Sequence, residues 1–232
     1  KEAADIYIVN TCSVTNMAER KSRQMLHRAK KKNPDVVVVA VGCYAQVGKE
    51  ELSKDTNIDL IIGNNKKKDL IHILEEHMGE KESAAESIEV IDIAHDQEYE
   101  SLHVEQLKEH TRAYIKVQDG CNQFCSYCII PYARGRVRSR KMEEVLEEIT
   151  NLTKHGCQEF VITGIHVTSY GKDLGDVTLI DLLEEIAKIP EVKRIRLGSL
   201  EPGFITKDTL DRLSKMESFC PHFHLSLQSG CD

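Results

Sequence analysis

Short apolar runs rich in β-branched residues alternate with amphipathic segments along this 232-residue chain, and the alternation constrains its fold. Ile6 to Val9, Val36 to Val41 and Ile58 to Ile62 each predict a buried strand. Thr15 to Lys32, between the first two, has the apolar spacing of a helix. Strands that alternate with helices and are apolar on both faces are typical of a parallel sheet. Residues 1–79 therefore predict a three-layer α/β domain with a parallel sheet.

The composition changes between residues 80 and 109, which contain ten acidic side chains and two lysines, a local charge of −8. Apolar alternation from Ile88 to Ile93 is compatible with one strand, but we expect residues 80–109 to form an acidic linker. The net charge of the whole chain is −7, so the remaining residues sum to about +1. The acidity of the chain therefore does not exclude an anionic partner.

A second β/α series occupies residues 110–232. It contains predicted strands at Tyr114 to Val117, Glu159 to Thr163, Arg194 to Gly198 and His222 to Leu227, and predicted helices at Met142 to Lys154, Leu179 to Ile189 and Lys207 to Lys215. A complete eight-stranded β/α barrel takes roughly 250 residues. We therefore expect a partial β/α barrel, truncated at its C-terminus. The abrupt ends at Lys1 and Asp232 favour a fragment of a longer protein.

Three of the eight cysteines, Cys121, Cys125 and Cys128, follow the first strand of this second series with the spacing C-x3-C-x2-C. A structural zinc site would normally require a fourth ligand in a second pair, and a bacterial ferredoxin uses C-x2-C-x2-C. The spacing therefore favours a four-iron cluster with one open iron. The loop also lies at the C-terminal end of a predicted barrel strand, where β/α barrels carry their chemistry.

Two further cysteines, Cys12 and Cys43, each follow a predicted strand of the N-terminal domain. Because the C-terminal ends of parallel strands meet at one edge of a sheet, the two thiols can approach each other. Metal ligation and burial as apolar side chains both remain open from the residues alone. The other cysteines, Cys157, Cys220 and Cys231, match no metal spacing and are left out of the predicted site, and Cys157 is expected to be a packing residue.

The cysteine loop, with Tyr127 before its last cysteine, resembles the signature of the radical S-adenosylmethionine (SAM) superfamily. Four longer stretches resemble the methylthiotransferase branch of that superfamily: residues 120–135, 163–171, 194–202 and 222–230. The motifs VNTCSVT around Cys12 and VGCYAQ around Cys43 resemble the auxiliary-cluster domain of the same family. The resemblance covers nearly the whole chain except the acidic linker.

The resemblance implies SAM and two [4Fe–4S] clusters as cofactors. The radical SAM cluster would be held by Cys121, Cys125 and Cys128, and the auxiliary cluster by Cys12, Cys43 and a cysteine that would precede Lys1. The residues implied to contact SAM are Tyr127, Thr163, Gly164, His166, Ser199 and Glu201. No side chain is assigned as a catalytic acid, base or nucleophile, because a hydrogen on an sp² ring carbon is too weakly acidic for a positioned base.

The resemblance also implies a transferase. One electron, from a donor such as flavodoxin or ferredoxin, would cleave SAM to methionine and a 5′-deoxyadenosyl radical, and sulfur from the auxiliary cluster would be methylated and joined to the substrate carbon. Residues 129–140 most resemble the branch that modifies C2 of adenosine 37 in tRNA carrying N6-threonylcarbamoyladenosine (t6A). The branch that acts on isopentenyladenosine (i6A) and the branch that acts on a ribosomal-protein aspartate are alternatives. A non-catalytic iron–sulfur electron carrier or RNA-binding module is an alternative of a different class.

The segment after the cysteine loop, from Pro131 to Lys141, is basic and contains no acid. Its arginines are Arg134, Arg136, Arg138 and Arg140. Because phosphate backbones bind to such patches, these arginines are predicted to bind RNA, with a solvated face or pairing with the acidic linker as alternatives. The longest apolar run has six residues, so no membrane span and a cytoplasmic location are expected.

Overall fold

The computed structural model describes residues 4–79, 87–102 and 112–230 of the chain. These fall into two compact units, one of residues 1–100 with 122–136 and the other of residues 101–121 with 137–232. Residues 80–86 and 103–109 of the predicted linker, residues 110 and 111 after it, and Cys231 lie outside the described residues. The first unit thus includes residues 122–136, which carry Cys125 and Cys128, although the sequence assigned them to the second domain.

The sheet of the first unit is parallel throughout. Its strands are β1 (Ile6–Thr11), β2 (Val37–Gly42), β3 (Leu60–Ile62) and β4 (Ser87–Glu89), in that order across the sheet. The fourth strand comes from the segment predicted to be a linker. Further along that segment, Glu100 accepts hydrogen bonds from the backbone N–H groups of Lys67 and Lys68. Residues 87–100 are therefore part of the first unit.

Helices cover both faces of this sheet. They are α1 (Asn16–Lys32), α2 (Cys43–Val47), α3 (Lys49–Leu52), α4 (Leu70–Gly79) and, after the cysteine loop, α5 (Ile130–Arg134). Successive residues of β2 pack in different cores: Val38 packs with Leu26 of α1, and Val39 packs with Ile73 of α4. This alternation places apolar layers above and below the strands, as a two-residue period requires. The prediction of a three-layer α/β domain with a parallel sheet is confirmed.

The second unit has a sheet of order β6-β5-β7-β8. Its strands are β5 (Arg112–Asp119), β6 (Arg138–Ser139), β7 (Glu159–Gly164) and β8 (Arg194–Leu197). Parallel pairing of β5, β7 and β8 agrees with the prediction, whereas β6, antiparallel to β5, was not predicted. The strand predicted over 222–227 is limited to β10 (His224–Leu225), which pairs with the short β9 (Ser199–Leu200) in a separate sheet.

The helices of the second unit are α6 (Met142–Lys154), α7 (Leu179–Ala187) and α8 (Lys207–Leu213). Ile115 of β5 and Phe160 of β7 pack in one core with Ile149 of α6 and Leu183 of α7. The opposite face of β5 carries Tyr114, whose side chain is exposed. Helices packed on one side of parallel strands, with a side chain such as Tyr114 exposed on the other, are the arrangement expected of a partial β/α barrel. In the part of the chain that the structure describes, no helix is both long and apolar enough to cross a membrane.

Candidate functional site

The C-terminal ends of β5, β7 and β8 lie at one edge of the sheet in the second unit because the three strands are parallel. The cysteine loop begins just after β5. Thr163 and Gly164 end β7, with His166 two residues further, and Glu201 follows β9. The structure thus gathers most of the residues implied to contact SAM at the edge where β/α barrels carry chemistry.

Gln118, near the end of β5, is a buried residue that the sequence analysis did not select. Its Oε1 accepts the backbone N–H of His166 at 2.7 Å. Its Nε2 donates to the backbone oxygens of Asp119, at 2.6 Å, and Gly120, at 2.7 Å. One side chain therefore holds both the start of the cysteine loop and the segment after β7. The signal in the sequence is a neutral polar residue at the end of an otherwise apolar strand.

Gly164 is required at the end of β7 by its approach to Gln118. A Cβ added to Gly164 would lie 2.9 Å from Gln118 Oε1 and 3.1 Å from its backbone oxygen. A larger residue would therefore force the Gln118 side chain to shift and would press on the Gln118 backbone oxygen. Gly164 was implied to contact SAM, and the structure shows that its packing against Gln118 also favours a residue without a side chain.

The side chains of His166 and Glu201, both implied to contact SAM, lie together. His166 Nδ1 is hydrogen-bonded to Ser169 Oγ at 2.7 Å, and its Nε2 lies 2.5 Å from Glu201 Oε1. The Glu201 carboxylate is still partly exposed and remains accessible to a ligand hydroxyl.

The other residues implied to contact SAM have different surroundings. Ser199 Oγ is hydrogen-bonded to His224 Nδ1 at 2.8 Å, so its hydroxyl is already engaged by β10. Thr163 lies against Gly198, where an added Cβ would be 3.1 Å from Thr163 Oγ1. Tyr127, in the cysteine loop, is one of the most exposed aromatic side chains at 75%.

The cysteine loop is shaped by local contacts at both ends. At its start, Asp119 Oδ1 accepts the N–H of Gly120 at 2.8 Å, and Gly120 adopts a φ of 72°, which favours glycine. Within the loop, Cys128 N–H donates to Cys125 O at 2.9 Å. Cys125 is exposed, and Cys121 and Cys128 are partly exposed. The thiols thus remain accessible to a metal centre.

Phe124 stands just before Cys125 and has a left-handed φ of 49°, which is rare for a bulky residue. Its ring is edge-on to Tyr132, with centroids 5.8 Å apart, and the Arg136 guanidinium lies 4.5 Å from its centroid. These contacts hold the unusual backbone in place next to a cysteine. Strained residues of this kind cluster at functional sites.

Cys12 and Cys43 lie at adjacent strand ends in the first unit. Thr11 is in register with Gly42, so each cysteine follows one member of a paired position. Thr11 Oγ1 donates to Val41 O at 2.7 Å and accepts from Ala45 N–H at 3.1 Å, which ties the end of β1 to the start of α2. Cys12 is exposed and Cys43 is buried. This register agrees with the expectation that the two cysteines lie close together at one edge of the sheet.

The sulfur of Cys43 receives two N–H donors. Arg134 Nε lies 3.1 Å from Cys43 Sγ, and Asn64 Nδ2 lies 3.7 Å from it. N–H donors directed at a sulfur atom are typical of the surroundings of cysteine ligands in metal centres. Across residues 4–79, 87–102 and 112–230, however, no three Cys, His, Asp or Glu side chains are already gathered in the arrangement of a metal site.

The four arginines predicted to bind RNA have different environments. Arg136 is exposed, and Arg134 is half-buried beside Cys43. Arg138 and Arg140 are 1% and 3% exposed, and Arg140 forms ion pairs with Glu144 and Glu148 of α6. The structure contradicts the prediction for Arg138 and Arg140, because a buried guanidinium cannot reach a phosphate.

Cys157 is buried in the core of the second unit, as expected for a packing residue. Burial raises the pKa of its thiol, so it remains protonated and unreactive near neutral pH. Cys220 is partly exposed and lies near the start of β8 rather than at the edge that carries the cysteine loop.

Two family profiles match the chain. That of the Uncharacterized protein family UPF0004 covers residues 1–63, and that of the Radical SAM superfamily covers residues 115–232. Among solved structures, the radical SAM methyltransferase TsrM from Kitasatospora setae matches with a TM-score of 0.65 over 94% of this chain and 49% of that one. The sequence identity is 14%, so this likeness shows the fold alone.

Curated relatives resemble the chain over its whole length. "Threonylcarbamoyladenosine tRNA methylthiotransferase MtaB" is 42% identical in Aquifex aeolicus and 38% identical in Bacillus subtilis, each over 99% of this chain. The "tRNA-2-methylthio-N(6)-dimethylallyladenosine synthase" of Dictyoglomus thermophilum is 40% identical over 100% of it. The chain spans 51% to 55% of the length of these relatives. Because the second profile matches more than half of its residues, the chain belongs to the radical SAM superfamily.

Proposed function

We propose that this chain carries the cluster-binding parts of a tRNA methylthiotransferase that modifies C2 of the t6A-containing adenosine 37 next to the anticodon. The observation that carries the proposal is the loop of Cys121, Cys125 and Cys128 directly after β5. The two relatives named as threonylcarbamoyladenosine enzymes support the same substrate.

The three loop thiols would hold a [4Fe–4S] cluster. The donor set fits, because three cysteines within eight residues leave a fourth iron position for a small molecule. When bound there, the cluster would supply the electron that cleaves SAM. The electron itself would come from a donor such as flavodoxin or ferredoxin.

At the strand ends, the chain's own residues would bind and orient SAM. The Glu201 carboxylate accepts hydrogen bonds and is suited to ribose hydroxyls, while His166 holds it in place through the 2.5 Å contact. Gln118 fixes the backbone on which His166 stands and the backbone that leads into the cysteine loop. These contacts fix the positions of His166, Glu201 and the start of the cysteine loop before a ligand binds, as in a preorganised site.

Cys12 and Cys43 would contribute to a second, auxiliary cluster. Their position at adjacent ends of β1 and β2 supports a shared centre. The donors from Arg134 and Asn64 to Cys43 Sγ support a role for this sulfur as a cluster ligand, because ligand sulfur atoms commonly receive such hydrogen bonds.

A second candidate substrate is i6A-modified tRNA. The Dictyoglomus relative, named for dimethylallyladenosine, is 40% identical, which is close to the 42% of the Aquifex relative. Overall identity therefore does not separate the two substrates.

Nucleoside mass spectrometry of tRNA tests the proposal. Cells that lack the full-length gene should lose the methylthio derivative of t6A, and the wild-type gene should restore it. A gene with Cys125 replaced by Ala should not restore it, whereas a gene with Cys220 replaced by Ala should. Loss of the i6A derivative instead would assign the second substrate, and no change in either nucleoside would refute tRNA methylthiolation.

A further inference from the structure

Arg134 was predicted to bind RNA, but its guanidinium has a different partner. It ends α5, the short helix that begins at Ile130 and is closed by Gly135, whose φ is 72°. This helix packs against α2, which begins at Cys43, within the first unit. Arg134 Nε–H then donates to Cys43 Sγ at 3.1 Å.

Asn64 supports the same sulfur from a third segment. It is 1% exposed and lies just after β3. Its Nδ2 donates to Ala133 O at 2.7 Å and lies 3.7 Å from Cys43 Sγ, so the amide links the backbone of α5 to the sulfur. Its backbone N–H donates to Gln46 Oε1 at 2.9 Å, which fixes Asn64 relative to α2.

A neutral, buried thiol packed among apolar groups does not require two donors, one of which carries a permanent positive charge. A guanidinium remains protonated at all accessible pH values, so its charge next to the sulfur is constant. Hydrogen bonds to ligand sulfur atoms withdraw electron density and raise the reduction potential of an iron–sulfur cluster, and a nearby positive charge acts in the same direction.

We propose that Arg134 is a positioning residue for Cys43: with Asn64, it orients the sulfur as a cluster ligand and raises the reduction potential of the cluster that this sulfur holds. The proposal rests on the ligation of a cluster by Cys43 in the proposed function. It reassigns Arg134 from RNA to the auxiliary centre. It also means that the segment after Cys125 and Cys128 contributes directly to the surroundings of Cys43.

The test uses the full-length protein in two backgrounds. In the first, Cys121, Cys125 and Cys128 are all replaced by Ala, so that bound iron reports on the centre of Cys12 and Cys43. In the second, Cys12 and Cys43 are replaced by Ala, so that bound iron reports on the loop. Arg134→Met is introduced in each, and Arg28→Met, on the exposed side of α1, is the matched control.

In the first background, Arg134→Met should shift the midpoint potential to more negative values and weaken iron binding about 10- to 100-fold. Arg134→Lys, which keeps the charge but not the Nε–H, should shift the potential less. Arg28→Met should change neither property, and Arg134→Met should leave the potential in the second background unchanged. Potentials are followed by electron paramagnetic resonance, and circular dichroism confirms that each variant is folded.

Two results would overturn the inference alone. For reference, Cys43→Ala is also introduced in the first background and should lose its iron. If it does, an unchanged potential for Arg134→Met in that background is the first such result. The other is an equal shift in both backgrounds, which would mean that α5 has only a general structural role. If Cys43→Ala keeps its full iron content in the first background, the ligation by Cys43 on which the inference rests is refuted instead.

Discussion

Gln118 and His166 are joined by a hydrogen bond from the His166 backbone N–H to Gln118 Oε1 at 2.7 Å, although 48 residues separate them in the chain. The bond links the end of β5 to the segment after β7. Since Gln118 also binds two backbone oxygens at the start of the cysteine loop, it couples the predicted cluster loop to the predicted SAM contacts.

Replacing Gln118 by Leu should lower the free energy of unfolding by about 2–4 kcal/mol, because one buried N–H and two backbone oxygens lose their partner. Chemical denaturation measures this loss. Gln158→Leu, an exposed glutamine just before β7, is the matched control and should change stability little. Equal stability of the two variants would contradict the structural role of Gln118.

Replacing Cys125 by Ala should remove about four irons per chain after anaerobic reconstitution of the full-length protein and abolish SAM cleavage. Cys220→Ala should keep both properties, because Cys220 lies away from the loop edge of the sheet. Iron analysis and chromatography of methionine provide the measurements. Continued SAM cleavage by the Cys125 variant would show that the cluster has been assigned to the wrong residues.

Replacing Arg136 by Gln should reduce the slope of log affinity for tRNA against log salt by about 0.7–0.9, the contribution of one phosphate contact. Arg138→Gln should leave the slope unchanged and instead lower stability by about 1–3 kcal/mol, because Arg138 is buried. Filter binding over a range of salt concentrations separates the two. Identical slopes for wild type and Arg136→Gln would rule out a phosphate contact by Arg136.

Glu159 at the start of β7 should make stability depend on pH. Arg194 Nε donates to its carboxylate at 2.7 Å, Arg196 Nε at 2.8 Å, and Arg112 lies 2.6 Å away. The arginines, with Arg194 foremost, lower the pKa of Glu159 from 4.5 to about 2. A depressed carboxyl pKa stabilises the fold above the unfolded value, so this contribution is complete above about pH 4.5 and is lost as the pH falls towards 2.

Glu159→Gln should therefore lower the free energy of unfolding by about 2–3 kcal/mol at pH 7 and have a smaller effect as the pH approaches 2. Urea denaturation at a series of pH values gives both quantities. The exposed Glu191→Gln is the control. A difference between wild type and Glu159→Gln that stays constant from pH 7 to pH 2 would contradict the assigned pKa.

Local pattern was enough to predict most of the elements. Helix α6 was predicted and found from Met142 to Lys154, since its apolar residues follow a helical period and face one core. The strand predicted over 222–227 was too long, because β10 pairs only with the two residues of β9. Strand β6 was missed because two residues carry no detectable period, and only their pairing with the end of β5 makes them a strand.

The sequence by itself determined the fold class, the spacing of the three loop cysteines and the superfamily, because these depend on residue type and order. Only the tertiary structure decided what the four arginines after the loop do. They are alike in sequence, yet Arg134 reaches Cys43, Arg136 lies over Phe124, and Arg138 and Arg140 are buried. The physical reason is that burial and hydrogen bonding depend on groups brought from distant segments, such as Cys43 and Glu148, which no local pattern encodes.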